Sequence, residues 1–392
     1  MAALRKTFAA LILAVALIAF TLSSAVPSES LKTVIAFDAS HRQSPKGLEL
    51  LADMTRTHYR VLIVSTDEDL ARIPSATLAL FDEVRKGGLN DFNLRDVDVL
   101  LIGQPESLPS PDEVEAVKRW FNKPNRALWI AGDSDYPAQG SEKAQQSMNM
   151  VLEALGSSIR IDYVSAEDLT ENCGGAVYRV AGIVDPSPEV KFLAEGLQHY
   201  RVLFHGPGAL YVISGGKTVN PVKQPELKPK NVYIVVRTSE NSRVVENQPA
   251  EKGGLPPVYY DPLDDKVNKG PFPLMLIETF PNNRVIVASS ETMYGGYQHM
   301  IVTEYYKKPL DGPQFVQNIL TYLVSTVSQP IVVTQTVTQT ITQTTTKVET
   351  KIETLTTTLT TTEQIGVSTS VAVIMAIIAL IIGIAAAYLL RR

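Results

Sequence analysis

The chain has little of what covalent and metal chemistry draws on. Its 392 residues hold one cysteine, Cys173, and five histidines. A single cysteine excludes an intrachain disulfide. Cys173 lies beside two glycines in "ENCGGAVY" with no motif histidine nearby, so it reads as a small buried residue rather than a reactive thiol. Basic charge is also short: 36 Lys and Arg against 41 Asp and Glu give a net charge of −5. That balance argues against nucleic acid as a partner, which needs a basic face. No N-x-[ST] sequon occurs, and nothing in the sequence calls for a cofactor.

Hydrophobic runs, by contrast, mark both ends. Arg5 and Lys6 precede an apolar run from Phe8 to Leu22, followed by "SSAVP". A basic segment, a short apolar stretch and small residues at Ser23 and Ala25 predict a secretory signal peptide over residues 1–25. At the other end Val371 to Leu390 carries no charge and is followed at once by Arg391 and Arg392. Such a run is long enough to cross a bilayer, and the arginines are expected on the cytoplasmic side. The predicted membrane helix covers residues 367–390. The expectation is a single-pass protein of the cell membrane with its N-terminal body outside. Ala372, Ala376, Ala379, Gly383 and Ala387 form a stripe of small residues along that helix. Such a stripe lets two copies approach closely.

Residues 331–364, "IVVTQTVTQTITQTTTKVETKIETLTTTLTTTEQ", are too polar and repetitive for a globular core and read as a Thr-rich stalk. Ile341, Val348 and Leu355 are seven apart, and Thr345, Ile352 and Leu359 form a second line. A short parallel coiled coil joining copies of the chain fits that spacing. The Thr/Gln/Val alternation of the first half suits an extended chain equally well. The stalk would reach roughly 50 Å as a helix and about twice that when extended.

Between the ends lie about 300 residues, enough for one large domain or two small ones. Without disulfides this body must rely on its core. Buried strands are predicted at 33–40, 60–66, 97–105, 126–134 and 159–165, alternating with helices at 45–59, 110–123 and 142–156. Ser110, Pro111 and the acids after them mark a helix start. Continuous apolar strands alternating with helices predict an α/β fold with a doubly wound, mostly parallel sheet over residues 31–170. Residues 171–328 are β-rich, a continuation or second subdomain ending in a closing helix at 312–327.

The run "DVDVLLIGQPESLPSPDEVEAVKRWFNKPNRALWIAGDSDY" resembles the amidotransferase-like, flavodoxin-like α/β domains of gliding-motility ABC-transporter auxiliary proteins. Catalytic members of the wider fold carry a cysteine in a G-x-C-x-G elbow. The comparable strand end here is Gly132-Asp133-Ser134-Asp135-Tyr136. Since the auxiliary proteins are thought to be non-catalytic, the resemblance implies binding rather than chemistry. Low Cys and His with many Pro and Tyr, beside a Thr-rich stalk, resemble an archaeal-type surface protein.

Ligands of open α/β sheets bind outside the carboxyl ends of the strands. Those ends carry Asp38, Ser40 and His41, then Gln104, then Asp133, Ser134 and Asp135. Ser289, Ser290 and Glu291 join them if the late strand belongs to the same sheet. One expectation is a serine hydrolase with Ser134 as nucleophile, His41 as base and Asp38 orienting it. Against it stand the reversed order of its G-D-S and D-x-x-H motifs and the delayed helix after "GDSDYPAQGSE". A second is a divalent cation on Asp38, Asp133, Asp135 and Glu291. The plainer alternative is that these acids satisfy backbone donors at strand ends. His205, in "LFHGPGALYV", is a candidate ligand or base, although Gly-Pro-Gly more simply marks a turn. The favoured function is a membrane-anchored binding or assembly protein of the cell surface, partnered by an envelope lattice or a transporter. A hydrolase and a two-lobed solute-binding receptor for a permease are the alternatives.

Overall fold

The computed structural model describes residues 32–139, 142–338 and 358–365. The predicted signal peptide, the middle of the stalk and the predicted membrane helix lie outside them. Among the described residues no helix is long and apolar enough to cross a membrane.

Residues 32–329 form one compact unit. It is a mixed α/β structure with a largely parallel central sheet and more strands than helices. The ten strands along the path of that sheet are β1 (Val34–Asp38), β2 (Tyr59–Val64), β3 (Glu83–Lys86), β4 (Val99–Ile102), β5 (Arg126–Ala131), β6 (Ala176–Val184), β7 (Arg201–His205), β8 (Val232–Arg237), β9 (Pro273–Phe280) and β10 (Arg284–Ser289). Their order is β7-β6-β8-β9-β10-β5-β4-β1-β2-β3. The six strands from β10 to β3 are parallel, and the rest continue antiparallel through β9. From β1 the chain runs outward through β2 to the edge at β3, then returns to the other side of β1 as β4. The order in which the chain adds strands therefore reverses between β1 and β4, and in open α/β sheets that switch point is where ligands bind.

The helices are α1 (Leu48–Met54), α2 (Asp67–Ala71), α3 (Ser75–Leu78), α4 (Pro111–Phe121), α5 (Lys143–Ala154) and α6 (Gly312–Val327). Alternation along the strands builds a core on each face of the sheet. Phe37, Trp129 and Val287 pack with Leu48 and Leu51 of α1 and Phe315 and Ile319 of α6. Leu100, Leu128 and Ile286 pack with Trp120 and Phe121 of α4 and Met148 and Leu152 of α5. Each such fully buried large side chain contributes roughly 2 kcal/mol. As its sequence suggests, α4 opens with a capping box: Ser110 Oγ accepts from Glu113 N at 3.3 Å while Glu113 Oε2 accepts from Ser110 N at 2.9 Å.

Two elements differ from the sequence reading. The segment predicted as a fifth strand at 159–165 forms a short strand, Ile159–Ile161, outside the central sheet, pairing antiparallel with Leu210–Ser214. The place beside β5 is taken by β10, aligned from Arg284 opposite Arg126 to Ser289 opposite Ala131. The edge strand β3 was not legible, because "EVRK" alternates charge instead of apolar residues. Its Arg85 is buried and met by Glu83 and Asp96 at 2.7 and 2.6 Å. Charge of this kind protects an edge from pairing with another chain.

Of the stalk, Ile331–Thr338 and Thr358–Ile365 are strands paired antiparallel, Ile331 opposite Ile365. Leu359, on the second heptad line, stands opposite Val337 in this pair. The heptad positions Ile341, Thr345, Val348, Ile352 and Leu355 lie outside the described residues.

Candidate functional site at the carboxyl ends of the strands

The parallel strands bring Asp38, Gln104, Asp133, Ser134, Asp135 and Glu291 to one end of the sheet, and all are buried. Because β10 lies beside β5, Ser289, Ser290 and Glu291 do join this rim. Its polar groups are turned toward one another.

The switch point itself is filled by a residue that sequence reasoning missed. Tyr294, buried in the loop after β10, places its hydroxyl between β1 and β4. The hydroxyl donates to the Asp38 carbonyl at 2.6 Å, lies 3.1 Å from the Leu101 carbonyl and accepts from Gly103 N at 3.1 Å. A tyrosine in "ETMYGGY" gives no local sign of this, since the contact spans 256 positions.

Asp38, at the end of β1, accepts from Ser40 N at 3.0 Å and from Gln43 Nε2 at 2.7 Å. His41, with a left-handed φ of 60°, turns its ring between two carboxylates. Its Nε2 is 3.1 Å from Glu113 Oε2 and its Nδ1 is 3.9 Å from Asp38 Oδ2. Burial alone lowers the imidazole pKa, but Asp38 and Glu113 outweigh it and push His41 up to about 10. Glu113 is driven the other way, to about 2, because the hydrogen bonds from His41 and Ser110 exceed the cost of its burial. His41 is thus an imidazolium held in a structural pair, and a protonated ring is no general base. Nothing in the sequence marked Glu113 as its partner beyond the capping box.

Ser134 is buried, and its Oγ accepts from Tyr136 N at 3.3 Å. Among the described residues no hydrogen bond links it to His41. Beside it, Asp133 accepts from Ser134 N at 2.7 Å, and Gly208 passes so close that a Cβ there would sit 2.6 Å from the Asp133 carbonyl. Asp135 is a tie between loops. It accepts from Ser165 Oγ at 2.7 Å, from the Asn247 side chain at 2.9 Å, from Asn247 N, and from Gln248 N at 3.2 Å.

Glu291 accepts from Thr292 N at 2.8 Å, from Gln104 Nε2 at 3.3 Å and from the backbone N–H of His205. Gln104 also donates to the Gly132 carbonyl at 3.1 Å, joining the ends of β4 and β5. Burial pushes the pKa of both Asp133 and Glu291 well up; the charge of Asp135 adds to it at Asp133, and that of Asp133 at Glu291. His205 stacks on Tyr297, and burial lowers its imidazole, helped by Arg179 and Lys46. Cys173 is buried, and burial pushes its thiol up to about 11, as expected of an inert residue.

Among the described residues no group of three or more His, Cys, Asp or Glu side chains is placed to hold a metal ion. The candidate set Asp38, Asp133, Asp135 and Glu291 therefore makes no ligand shell there. A cavity of about 10 Å³ lies between Asp38, His41, Ile130 and Ser147. That is room for about one water. An open groove of about 390 Å³ runs past Asn90, Ser110, Asp112 and Arg119 on the outer side of Glu113. Ser134 lines neither.

The fold and rim define a mixed α/β protein whose switch point is closed by its own side chains. No family model matches the chain, and no curated protein matches it. A solved structure described as the mmIFT52 N-terminal domain is 13% identical, covers 74% of this chain and 96% of its own, and superposes with a TM-score of 0.45. A ribokinase-like superfamily protein from Enterococcus faecalis V583 is 11% identical over 36% of this chain and 62% of its own, with a TM-score of 0.21.

Proposed function

We propose that this chain is a non-catalytic binding or assembly protein of the cell surface, carried outside the membrane by a Thr-rich stalk and a single C-terminal helix. The observation that carries the non-catalytic part is Tyr294. Its buried hydroxyl bridges the carbonyls of Asp38 and Leu101 at the position where an open α/β sheet takes a ligand. Around it, Asp38, Glu113, Asp135 and Glu291 accept hydrogen bonds from the protein itself, and His41 is spent in an ion pair. The unit from 32 to 329 is a single body, whereas a receptor for a permease calls for two lobes hinged over a cleft. A doubly wound domain of the kind found in transporter auxiliary proteins remains the reading of its first half, on the strength of the motif run from 96 to 136. The surface placement rests on the apolar runs at 8–22 and 371–390.

Membrane fractionation of cells expressing the full chain tests the placement. The full chain is expected to resist carbonate extraction and to lose its body to protease added outside the cell. A chain ending at residue 366 is expected in the medium. A full chain recovered in the soluble cytoplasm sinks this reading.

A further inference from the structure

A ring of contacts outside the rim is left unexplained by that reading. Arg179 lies over the rings of Tyr306, at 3.8 Å, and Tyr178, at 5.3 Å. Tyr306 meets Tyr305 at 4.9 Å, and His205 closes the circle at 5.8 Å from Tyr305 and 5.7 Å from Tyr178. Tyr297 stacks on His205 at 4.8 Å. Tyr178, Tyr297 and Tyr306 are 43, 66 and 55% exposed. No carboxylate or hydrogen-bond acceptor among the described residues meets the Arg179 guanidinium, and its Nε is buried without a partner. A buried guanidinium nitrogen left without an acceptor is costly. Lys46, over the Tyr297 ring at 5.8 Å, and the exposed Lys307 add positive charge to the platform. In a chain of net charge −5 this is a local cationic, aromatic face. Exposed tyrosines around a central arginine are the composition of an interface hot spot.

The same chain carries a complementary shape. Leu263 is 94% exposed at the tip of the loop "DPLDDKV", with the exposed Asp264 and Asp265 after it. The loop is pinned: Asp261 Oδ1 accepts from Leu263 N at 2.8 Å, Asn268 Oδ1 from Asp261 N at 2.7 Å, and Asp264 Oδ1 from Lys266 N at 2.9 Å. A leucine held out into water beside two carboxylates is an apolar and acidic knob, preorganised for a partner.

We propose that the Leu263 knob of one copy docks on the Tyr178–Arg179–Tyr306 platform of a second copy, so that copies associate head to tail. The leucine lies on the tyrosine faces, and Asp264 or Asp265 supplies the carboxylate that Arg179 lacks, in a planar match that guanidinium favours. A contact of two different patches that is not exchanged back between the same two copies repeats into chains or rings. It is small, and confinement to one membrane supplies the effective concentration that makes a weak contact count. This inference rests on the assembly reading above and names its partner.

The test is cross-linking of the full chain reconstituted into one bilayer of lipid vesicles, which keeps the confinement the contact needs. Chains carrying Lys266→Cys and chains carrying Glu304→Cys, exposed positions beside the knob and the platform, are mixed and oxidised; the buried Cys173 is present in both. A disulfide dimer is expected in the mixture and not in either preparation alone. A single chain carrying both substitutions is expected to give a ladder of dimers, trimers and higher species. Adding Arg179→Gln or Leu263→Asp is expected to slow the link about tenfold, the effect of losing one strong contact. A mixture that links no faster than its Arg179→Gln control overturns the proposal, as does a double-cysteine chain that stops at dimers. Failure here with Ser134 inert to a serine-hydrolase probe removes this contact alone. Labelling of Ser134 removes the non-catalytic reading whatever the cross-links show.

Discussion

The ion pair of His41 with Glu113 should be measurable in both stability and titration. His41 is mostly buried and Glu113 also caps α4, so the pair joins the loop after β1 to the start of that helix. His41 faces two carboxylates, and Glu113 is lowered by Ser110 as well as by His41, so the displacement of Glu113 is an upper bound on the pair. A fall from 4.5 to about 2 corresponds to about 3 kcal/mol at roughly 1.4 kcal/mol per tenfold. Solvent at the Glu113 carboxylate screens the charge, which leaves roughly 2 kcal/mol. Glu113→Gln, which keeps the shape of the cap, is expected to cost about that much at pH 7. The sign with pH follows from the directions. The His41 pKa is raised, so its contribution is full below about 6.5 and is lost as pH climbs through about 10. The Glu113 pKa is depressed, so its contribution is present above about 4.5 and is lost as pH falls through about 2. Urea unfolding of the full chain between pH 6 and pH 10 should therefore show a decline that His41→Gln flattens by about 2 kcal/mol. The ring proton of His41, assigned by its loss in that variant, should keep its protonated shift to beyond pH 8. A ring that titrates near the ordinary 6.5, or pH profiles that coincide in the two proteins, would refute the reasoning.

Other expectations follow from the rim. Tyr294→Phe leaves the ring but orphans Gly103 N and should cost about 1–2 kcal/mol in urea unfolding, while Tyr294→Ala adds a cavity and should cost about 3–5 kcal/mol. A Tyr294→Phe protein as stable as the wild type would mean the hydroxyl bridges nothing. Asp135→Ala removes the acceptor for Ser165, Asn247 and Gln248, and should cost about 2–4 kcal/mol and speed hydrogen exchange at residues 247 and 248; unchanged exchange there would contradict the tie. Asp133→Asn removes a charge that burial resists and keeps the bond to Ser134 N, so stability at pH 7 should hold or rise by about 1 kcal/mol. Because the acid's pKa is raised, the wild type should lose stability as pH climbs past about 4, and the variant should lose less; a variant that is less stable at pH 7 would show the carboxylate to be needed.

Much of the parallel half was legible because its strands are apolar runs and its helices announce themselves. "TVIAF", "RVLIV", "DVLLI" and "RALWIA" became β1, β2, β4 and β5, and Ser110-Pro111 opened α4 where expected. The strand 159–161 misled because an apolar run records burial and not the neighbour it pairs with. What decided its place was the pairing of β10 with β5, between segments about 160 positions apart. The charged edge β3 failed for the opposite reason, carrying a buried arginine where the pattern asks for an apolar residue. At the site, sequence brought the right acids to one rim through the strand-end rule. It could not say which way they faced. Asp135 and Glu291 carry no local mark separating a ligand-binding carboxylate from one that ties a loop. Tyr294 and Glu113 were missed because their roles exist only in contacts made far along the chain.

The central claim is that the Ser134 rim does no hydrolysis, and active-site labelling tests it most directly. The full chain in detergent is treated with a fluorophosphonate probe beside a Ser134→Ala control. No labelling above that control is expected from pH 6 to pH 9, because among the described residues Ser134 Oγ meets the Tyr136 N–H and no base. Stoichiometric labelling of the wild type that vanishes in Ser134→Ala would contradict it.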